Sequence, residues 1–305
     1  MTATLTPGAA PNAPTPSSPR TRLDDPTPAS RRRRFDWGTP FAYLIALVMC
    51  GITVAPVIYV VINGFRSTAQ INRDPAGLPD PWVVTNYLGV FSDPNFWTQF
   101  ANSTIVAVAT TVGVTLLGVM AAFVIARYQF FGRTFLFSLF TAGLLFPLTV
   151  AVLPLFTMLR SFGLLGNLFA VIGPQIAFAL PTTIIILVPF LRAIPAELED
   201  AALIDGAGRF TFFWRVLLPL SWPGLITVGV LAFVASWNAY LLPLLLLGNP
   251  ATATLPVGVQ YFSTAYSQDT AGVLAFTSVA MIPALLFFTL AQRRIVGGLT
   301  GAVKG

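Results

Sequence analysis

Residues 102–126 read NSTIVAVATTVGVTLLGVMAAFVIA, a run without a single Asp, Glu, Lys or Arg. A hydrocarbon core about 30 Å thick is crossed by roughly 20 apolar residues in helical conformation, so this stretch is long enough to span it. Every backbone N–H and C=O must be satisfied inside the segment or by closure of a barrel. Barrel strands are about ten residues long and alternate in polarity, which this run does not, so a helix is expected. Five further charge-free stretches have the same character, at 41–62, 135–159, 169–191, 223–247 and 271–291. The expected fold is an all-α membrane protein with six transmembrane helices.

Composition agrees. Of 305 residues, 55% are hydrophobic and 9% charged, with mean hydropathy +0.78; soluble domains carry about a quarter of their residues charged. A soluble globular enzyme is excluded. There is no His, Cys50 is the single cysteine, and Lys304 is the one lysine. The commonest general base, the commonest metal ligand and any thiolate zinc cluster are therefore missing. A phosphate-cradling loop needs Gly-Lys-Ser/Thr opening a helix, and the chain has none. No catalytic residue, cofactor or metal is implied, and the chain cannot hydrolyse ATP by that route.

Basic residues set the expected orientation. With a cytoplasmic N-terminus, the inner segments hold Arg20, Arg22, Arg31 to Arg34, Arg127, Arg133, Arg192, Arg209, Arg215, Arg293, Arg294 and Lys304, against Arg66, Arg73 and Arg160 outside. Both termini and the loops 127–134 and 192–222 then face the cytoplasm. The net charge of +6 is largely this asymmetry and does not imply nucleic-acid binding. Residues 1–38, rich in Pro and ending near Arg31–Arg34, are expected to be a disordered cytoplasmic tail whose arginines meet anionic membrane lipid. Ser30 and the four arginines superficially resemble a twin-arginine export signal, but the apolar run that follows is too long for one. Residues 39–291 form the expected transmembrane domain, and 292–305 a flexible cytoplasmic C-terminal tail.

The segment 192–222 carries the most information. Pro195 suits a first helical turn, and Glu197, Glu199 and Asp200 place acids where the helix dipole favours them. Gly206 and Gly208 are expected to break the chain. A second helix follows, with Phe210, Phe213, Trp214 and Leu217 on one apolar face, ended by Pro219 and Pro223. Two readings of this knob stand open. In one, Ala201 and Ala202 let a partner's groove approach closely while Asp200 and Asp205 meet its basic groups. In the other, the hairpin packs on the bundle's own cytoplasmic end.

Asp200-Ala201-Ala202, three residues, Gly206, nine residues, Val216-Leu217-Leu218-Pro219 resembles the EAA loop of ABC-importer permeases. Asp replaces the family's Glu and Val its Ile. The form Leu198 to Ala207, Trp237-Asn238, Thr254 to Gly258 and the ending from Gly298 resemble sugar importers of the maltose and multiple-sugar type, in particular the smaller, six-span permease of the heterodimeric pair. The resemblance implies a cytoplasmic EAA coupling helix within 192–222, with Glu199, Asp200, Ala201, Ala202, Asp205, Gly206, Phe210, Phe213, Trp214 and Pro219 serving ATPase coupling. It also implies the partners: a second permease subunit, two ATPase subunits and an extracytoplasmic sugar-binding protein. ATP binding then flips the permease pair between inward- and outward-facing forms.

A sugar path needs aromatic faces and neutral hydrogen-bonding groups. Ser236, Trp237, Asn238 and Tyr240 cluster in the fifth span, and Gln175, Thr182 and Thr183 in the fourth; interhelical hydrogen bonding is their alternative role. The external segment 248–270, with Asn249, Pro250, Thr254, Pro256, Tyr261, Tyr266 and Gln268, resembles the loop that reaches into the binding protein. Prolines 56, 147, 154, 174, 181, 189, 243 and 283 are expected to kink their spans. Competing functions are a permease for another solute such as glycerol phosphate, an ion-coupled secondary sugar transporter, and a membrane enzyme. The spans lack the ionisable groups that proton coupling uses, and the acids outside them are too scattered for an enzyme site.

Overall fold

The computed structural model describes residues 38–262 and 269–303, and these are helical with no strand among them. The expected tail 1–38 lies, but for its last residue, outside the described residues. The chain divides into two units, Met1–Cys50 and Gly51–Gly305. The described part of the first is the opening of α1 (Gly38–Asn63), with side chains exposed from Pro40 onward.

In the second unit α1 ends in a turn built on Arg66, which is 2% exposed. Its guanidinium donates to Asn63 Oδ1 at 2.8 Å, to Gln70 O at 2.9 Å and to Asp74 O at 2.8 Å. It thereby ties the end of α1 to the C-terminal turn of the short α2 (Thr68–Arg73) and its C-cap Asp74. This arginine is a structural exception to the charge bias. After α3 (Thr85–Ser92), Asp93 caps and Pro94 opens the long α4 (Pro94–Arg127).

Helix α4 packs along α7 (Phe169–Arg192) and α11 (Trp222–Trp237). Small residues let α4 and α7 close: a Cβ on Gly118 would lie 2.4 Å from Thr183 Cγ2. Val119, Phe123, Ile184, Leu187 and Leu191 fill the seam at one end. At the other, α4 meets α11, α13 (Leu255–Gly258) and α14 (Thr270–Val303) around Phe96, Trp237, Leu255 and Phe276.

Among the described residues, four helices are long and apolar enough to cross a membrane: Pro40–Asn63, Pro94–Arg127, Phe169–Arg192 and Thr270–Leu290. Two further candidates are bent pairs, Arg133–Gly143 with Leu148–Ser161 (98°) and Arg209–Leu220 with Trp222–Trp237 (75°). The expected continuous span 135–159 is thus corrected to α5 (Arg133–Gly143) and α6 (Leu148–Ser161). Pro147 has no N–H and drives the residue before it out of helical conformation; it sits extended at φ −72°, ψ 130°.

The expected span 223–247 likewise stops at Trp237 and resumes as α12 (Leu241–Leu247). Pro243 would clash with the carbonyl of Ala239 in a continuous helix, and in α12 it falls in the first turn. Pro56, Pro154, Pro174, Pro181, Pro189 and Pro283 stay inside unbroken helices. Within the segment expected as a C-terminal tail from 292, α14 continues as helix through Val303.

Candidate functional site

Two features stand out, a knob at one end of the bundle and a cavity within it. The knob begins where α7 ends. Ile194 tucks under it, 9% exposed, and α8 (Glu197–Ile204) carries Glu197, Glu199 and Asp200 in its first turn. Gly206, at φ +79°, closes α8 in a double-bonded cap. Its N–H reaches Leu203 O at 3.0 Å, and Ala207 N–H reaches Ala202 O at 2.8 Å. Gly208, expected to break the chain in the same way, has an ordinary φ of −71° and serves as the N-cap of α9 (Arg209–Phe212).

The apolar face expected at 210, 213, 214 and 217 is split. Residues 213–217 form a π-helical turn, with Leu218 N–H bonded to Phe213 O, ahead of α10 (Leu218–Leu220). Pro219 has no N–H to offer the Arg215 carbonyl, which permits the wider turn. The result is that Phe212, Phe213 and Leu217 face the bundle at 1%, 5% and 0% exposure, while Phe210 at 77% and Trp214 at 41% face away. Phe123 of α4 holds the inner face, its ring 5.2 Å from Phe213 and 6.4 Å from Phe212.

Ala202 is half-buried and packs on this core, so the approach expected across both alanines is left to Ala201 alone, which is exposed with Asp200, Asp205 and Gly206. Tyr128, at the C-cap of α4, receives the Arg209 guanidinium 4.9 Å over its ring. Burial, and then the Glu199 carboxylate, push its phenol above the usual value of 10.0.

The cavity, about 580 Å³, lies between α4, α7, α11 and α12. Its walls are mainly apolar, and its polar side chains are Thr110, Gln175, Thr182, Thr183, Ser236 and Tyr240, none of them charged. Gln175 is 8% exposed. Its carbonyl oxygen accepts from Thr110 Oγ1 at 3.2 Å and from Ser236 Oγ at 2.5 Å, while its amide nitrogen has no partner. Two hydroxyls therefore clamp one end of the amide and leave its donor end free.

Five of the seven path residues expected from sequence meet here. Trp237 and Asn238 do not line the cavity. The Trp237 indole donates to Ala280 O at 3.1 Å and stacks on Phe233, and Asn238 donates back to Val234 O at 2.8 Å. Thr110 was not legible as a partner, because Thr104, Thr111 and Thr115 in the same span are equally polar and Thr110 meets Gln175 only through helix packing.

The external segment is folded down over part of its length. Thr254, Leu255, Val257 and Gly258 are buried, and Asn102 Nδ2 holds the carbonyls of Ala251 and Ala253, each at 3.0 Å. Asn249, Pro250 and Tyr261 are exposed and Pro256 is half-buried; Tyr266 and Gln268 lie outside the described residues.

Apolar helices of membrane-crossing length packed around an uncharged cavity define a multi-pass membrane protein. The chain belongs to the family of binding-protein-dependent transport system inner membrane components, whose sequence model matches residues 114–300. It is 38% identical to the diacetylchitobiose uptake system permease protein NgcG of Streptomyces coelicolor, over 82% of this chain and 83% of that one. It is 37% identical to the trehalose transport system permease protein SugB of Mycobacterium tuberculosis, over 88% and 98%. Its fold is similar to that of a chain in a bacterial ABC transporter involved in import of the acidic polysaccharide alginate. The TM-score is 0.68 at 22% identity, covering 85% of this chain and 98% of that one.

Proposed function

We propose that this chain is a permease subunit of an ABC importer that carries a neutral di- or oligosaccharide across the cell membrane. In this reading it has six spans, counting each bent pair as one, with both termini cytoplasmic. It pairs with a second permease, two ATPase subunits that hydrolyse the ATP, and an extracytoplasmic sugar-binding protein. The relatives that take up diacetylchitobiose, trehalose and arabinooligosaccharides support a sugar.

The observation that carries the reading is the cavity's polar chemistry. Gln175, Thr110, Ser236, Thr182, Thr183 and Tyr240 offer neutral donors and acceptors among apolar walls, which suits sugar hydroxyls and C–H faces. An anionic cargo such as glycerol phosphate would find no cation there. The Gln175 amide N–H, buried in the cavity wall without a partner, is the donor that a sugar hydroxyl oxygen would satisfy. Trp237 and Asn238 support this wall from outside the cavity.

At the knob, Asp200, Ala201, Asp205, Gly206, Phe210 and Trp214 form the face that an ATPase grips. Phe213, Ala202, Glu199 and Pro219 connect that face to α4 and α11. Motion of the ATPases is thereby passed to the helices that wall the cavity. The exposed parts of 248–262 meet the binding protein.

The test is reconstitution of the full complex in vesicles with radiolabelled diacetylchitobiose, trehalose and an arabinooligosaccharide. Uptake of at least one, dependent on ATP and on the binding protein, is expected. Uptake driven by an ion gradient without ATP would refute the reading.

A further inference from the structure

A second cavity, about 330 Å³, opens at the same end of the bundle as the knob, between the loop after α4, the start of α5 and the end of α7. Gln129, Arg133, Thr134, Phe135, Phe137 and Arg192 line it, and no acidic side chain does. Among the described residues neither guanidinium has a salt bridge or a hydrogen-bond partner. Arg133 is half-buried and Arg192 exposed, so two positive charges add at one small open space.

A further donor set points the same way. Gly132, the N-cap of the 11-residue α5, has no side chain to offer. The first-turn N–H groups of Thr134 and Phe135 are therefore uncapped and add their partial positive charge.

Gln129 and Thr134 are uncharged groups able to bond an oxyanion's remaining oxygens. Two of its aromatic lining residues are uncovered, Phe135 at 68% and Phe130 at 36% exposure. Exposed phenylalanines beside cations, at the ends of membrane-length helices, suit the boundary between headgroups and acyl chains.

We propose that this cavity binds a phosphate group, and that the phosphate is the headgroup of an anionic lipid. The two guanidiniums, the α5 N-terminus and the two polar side chains hold the phosphate, and the phenylalanines meet the glycerol and upper acyl chain. The choice of the inner leaflet rests on the orientation proposed above; the binding itself does not. Arg192 also ends α7 two residues before Ile194, so the bound lipid would brace the root of the knob.

The test uses the full-length chain purified in a neutral detergent and titrated with dioleoyl-phosphatidylglycerol or dioleoyl-phosphatidylcholine, with bound lipid counted by native mass spectrometry. Phosphatidylglycerol should be retained in preference to phosphatidylcholine. Arg133→Gln and Arg192→Gln should each weaken retention about fivefold, the fold-change of the ~1 kcal/mol a basic residue contributes near an anionic leaflet. Arg160→Gln, far from the cavity in sequence, should not change it.

Thermal unfolding checks that each variant is folded, and if one arginine variant is not, the other carries the test. Inorganic phosphate at 10 mM should leave the lipid in place; arginine-dependent displacement by it would keep the phosphate chemistry but overturn the lipid source. Unchanged phosphatidylglycerol retention in folded Arg133→Gln and Arg192→Gln variants would overturn the proposal. Transport is not the readout, so either result leaves the permease reading to its own experiment.

Discussion

Two phenylalanines two positions apart in the knob should respond oppositely to truncation. Phe212 is 1% exposed and enclosed by the core around Phe123 and Leu217, whereas Phe210 is 77% exposed, its ring centroid 6.1 Å from that of Trp214. Phe212→Ala removes a buried ring and leaves a cavity, at a cost of about 3–5 kcal/mol. That is a large share of the roughly 5–15 kcal/mol by which domains are stable. Phe210→Ala removes an exposed ring and should change stability by less than about 0.5 kcal/mol.

If Phe210 anchors the ATPase, its loss should cost about 2 kcal/mol of association, close to 30-fold in affinity. The assay is titration of the detergent-solubilised permease pair with labelled ATPase subunit, alongside thermal unfolding of each variant. A Phe210→Ala permease that binds the ATPase within twofold of the parent, at parental stability, would refute the assignment of that face. A Phe212→Ala protein as stable as the parent would refute the packing.

Three more outcomes are expected. Gln175→Leu deletes the free amide donor in the cavity and should lower sugar uptake at subsaturating concentration about fivefold, the worth of one hydrogen bond near 1 kcal/mol. Basal ATP hydrolysis should be unchanged, and unaltered uptake would contradict the role. Gly206→Ala places a side chain at φ +79°, a cost of about 1–2 kcal/mol, and should raise the ATP spent per sugar. Gly206→Pro cannot adopt that φ and loses the N–H to Leu203 O, so it should uncouple hydrolysis from uptake altogether; normal uptake would count against the knob.

The phenol of Tyr128 is raised above 10.0, so the folded state holds that proton more tightly than the unfolded chain does. Its contribution is complete below pH 10 and is lost as pH climbs through the folded-state value. Between pH 8 and 11, Tyr128→Phe should lose thermal stability less steeply than the parent; parallel curves would contradict this.

The helices were legible because each membrane-length run is free of charge, a signal that survives without knowing any neighbour. Their breaks were not. Pro147 and Pro243 interrupt helices while Pro56, Pro174 and Pro181 do not, and what separates them is packing that hydropathy does not encode. The Gly206 turn could be read from one glycine after an acidic helix start.

The inward side of the knob could not be read in full. A helical period from Phe210 passes over Phe212, and the π turn at 213–217 rotates Trp214 outward. Gln175, Ser236 and the neighbouring threonines were visible as polar groups in apolar runs. The clamp on Gln175 depended on Thr110, which reaches it only because α4 and α7 approach closely along their shared seam.

The most direct measurement is accumulation of labelled sugar against its gradient in sealed vesicles. It compares this chain alone with the chain assembled with its permease partner, ATPases and binding protein, both supplied with ATP. The account predicts uphill uptake only by the assembly, abolished when the ATPase is inactivated. Uphill uptake by the chain alone would contradict it.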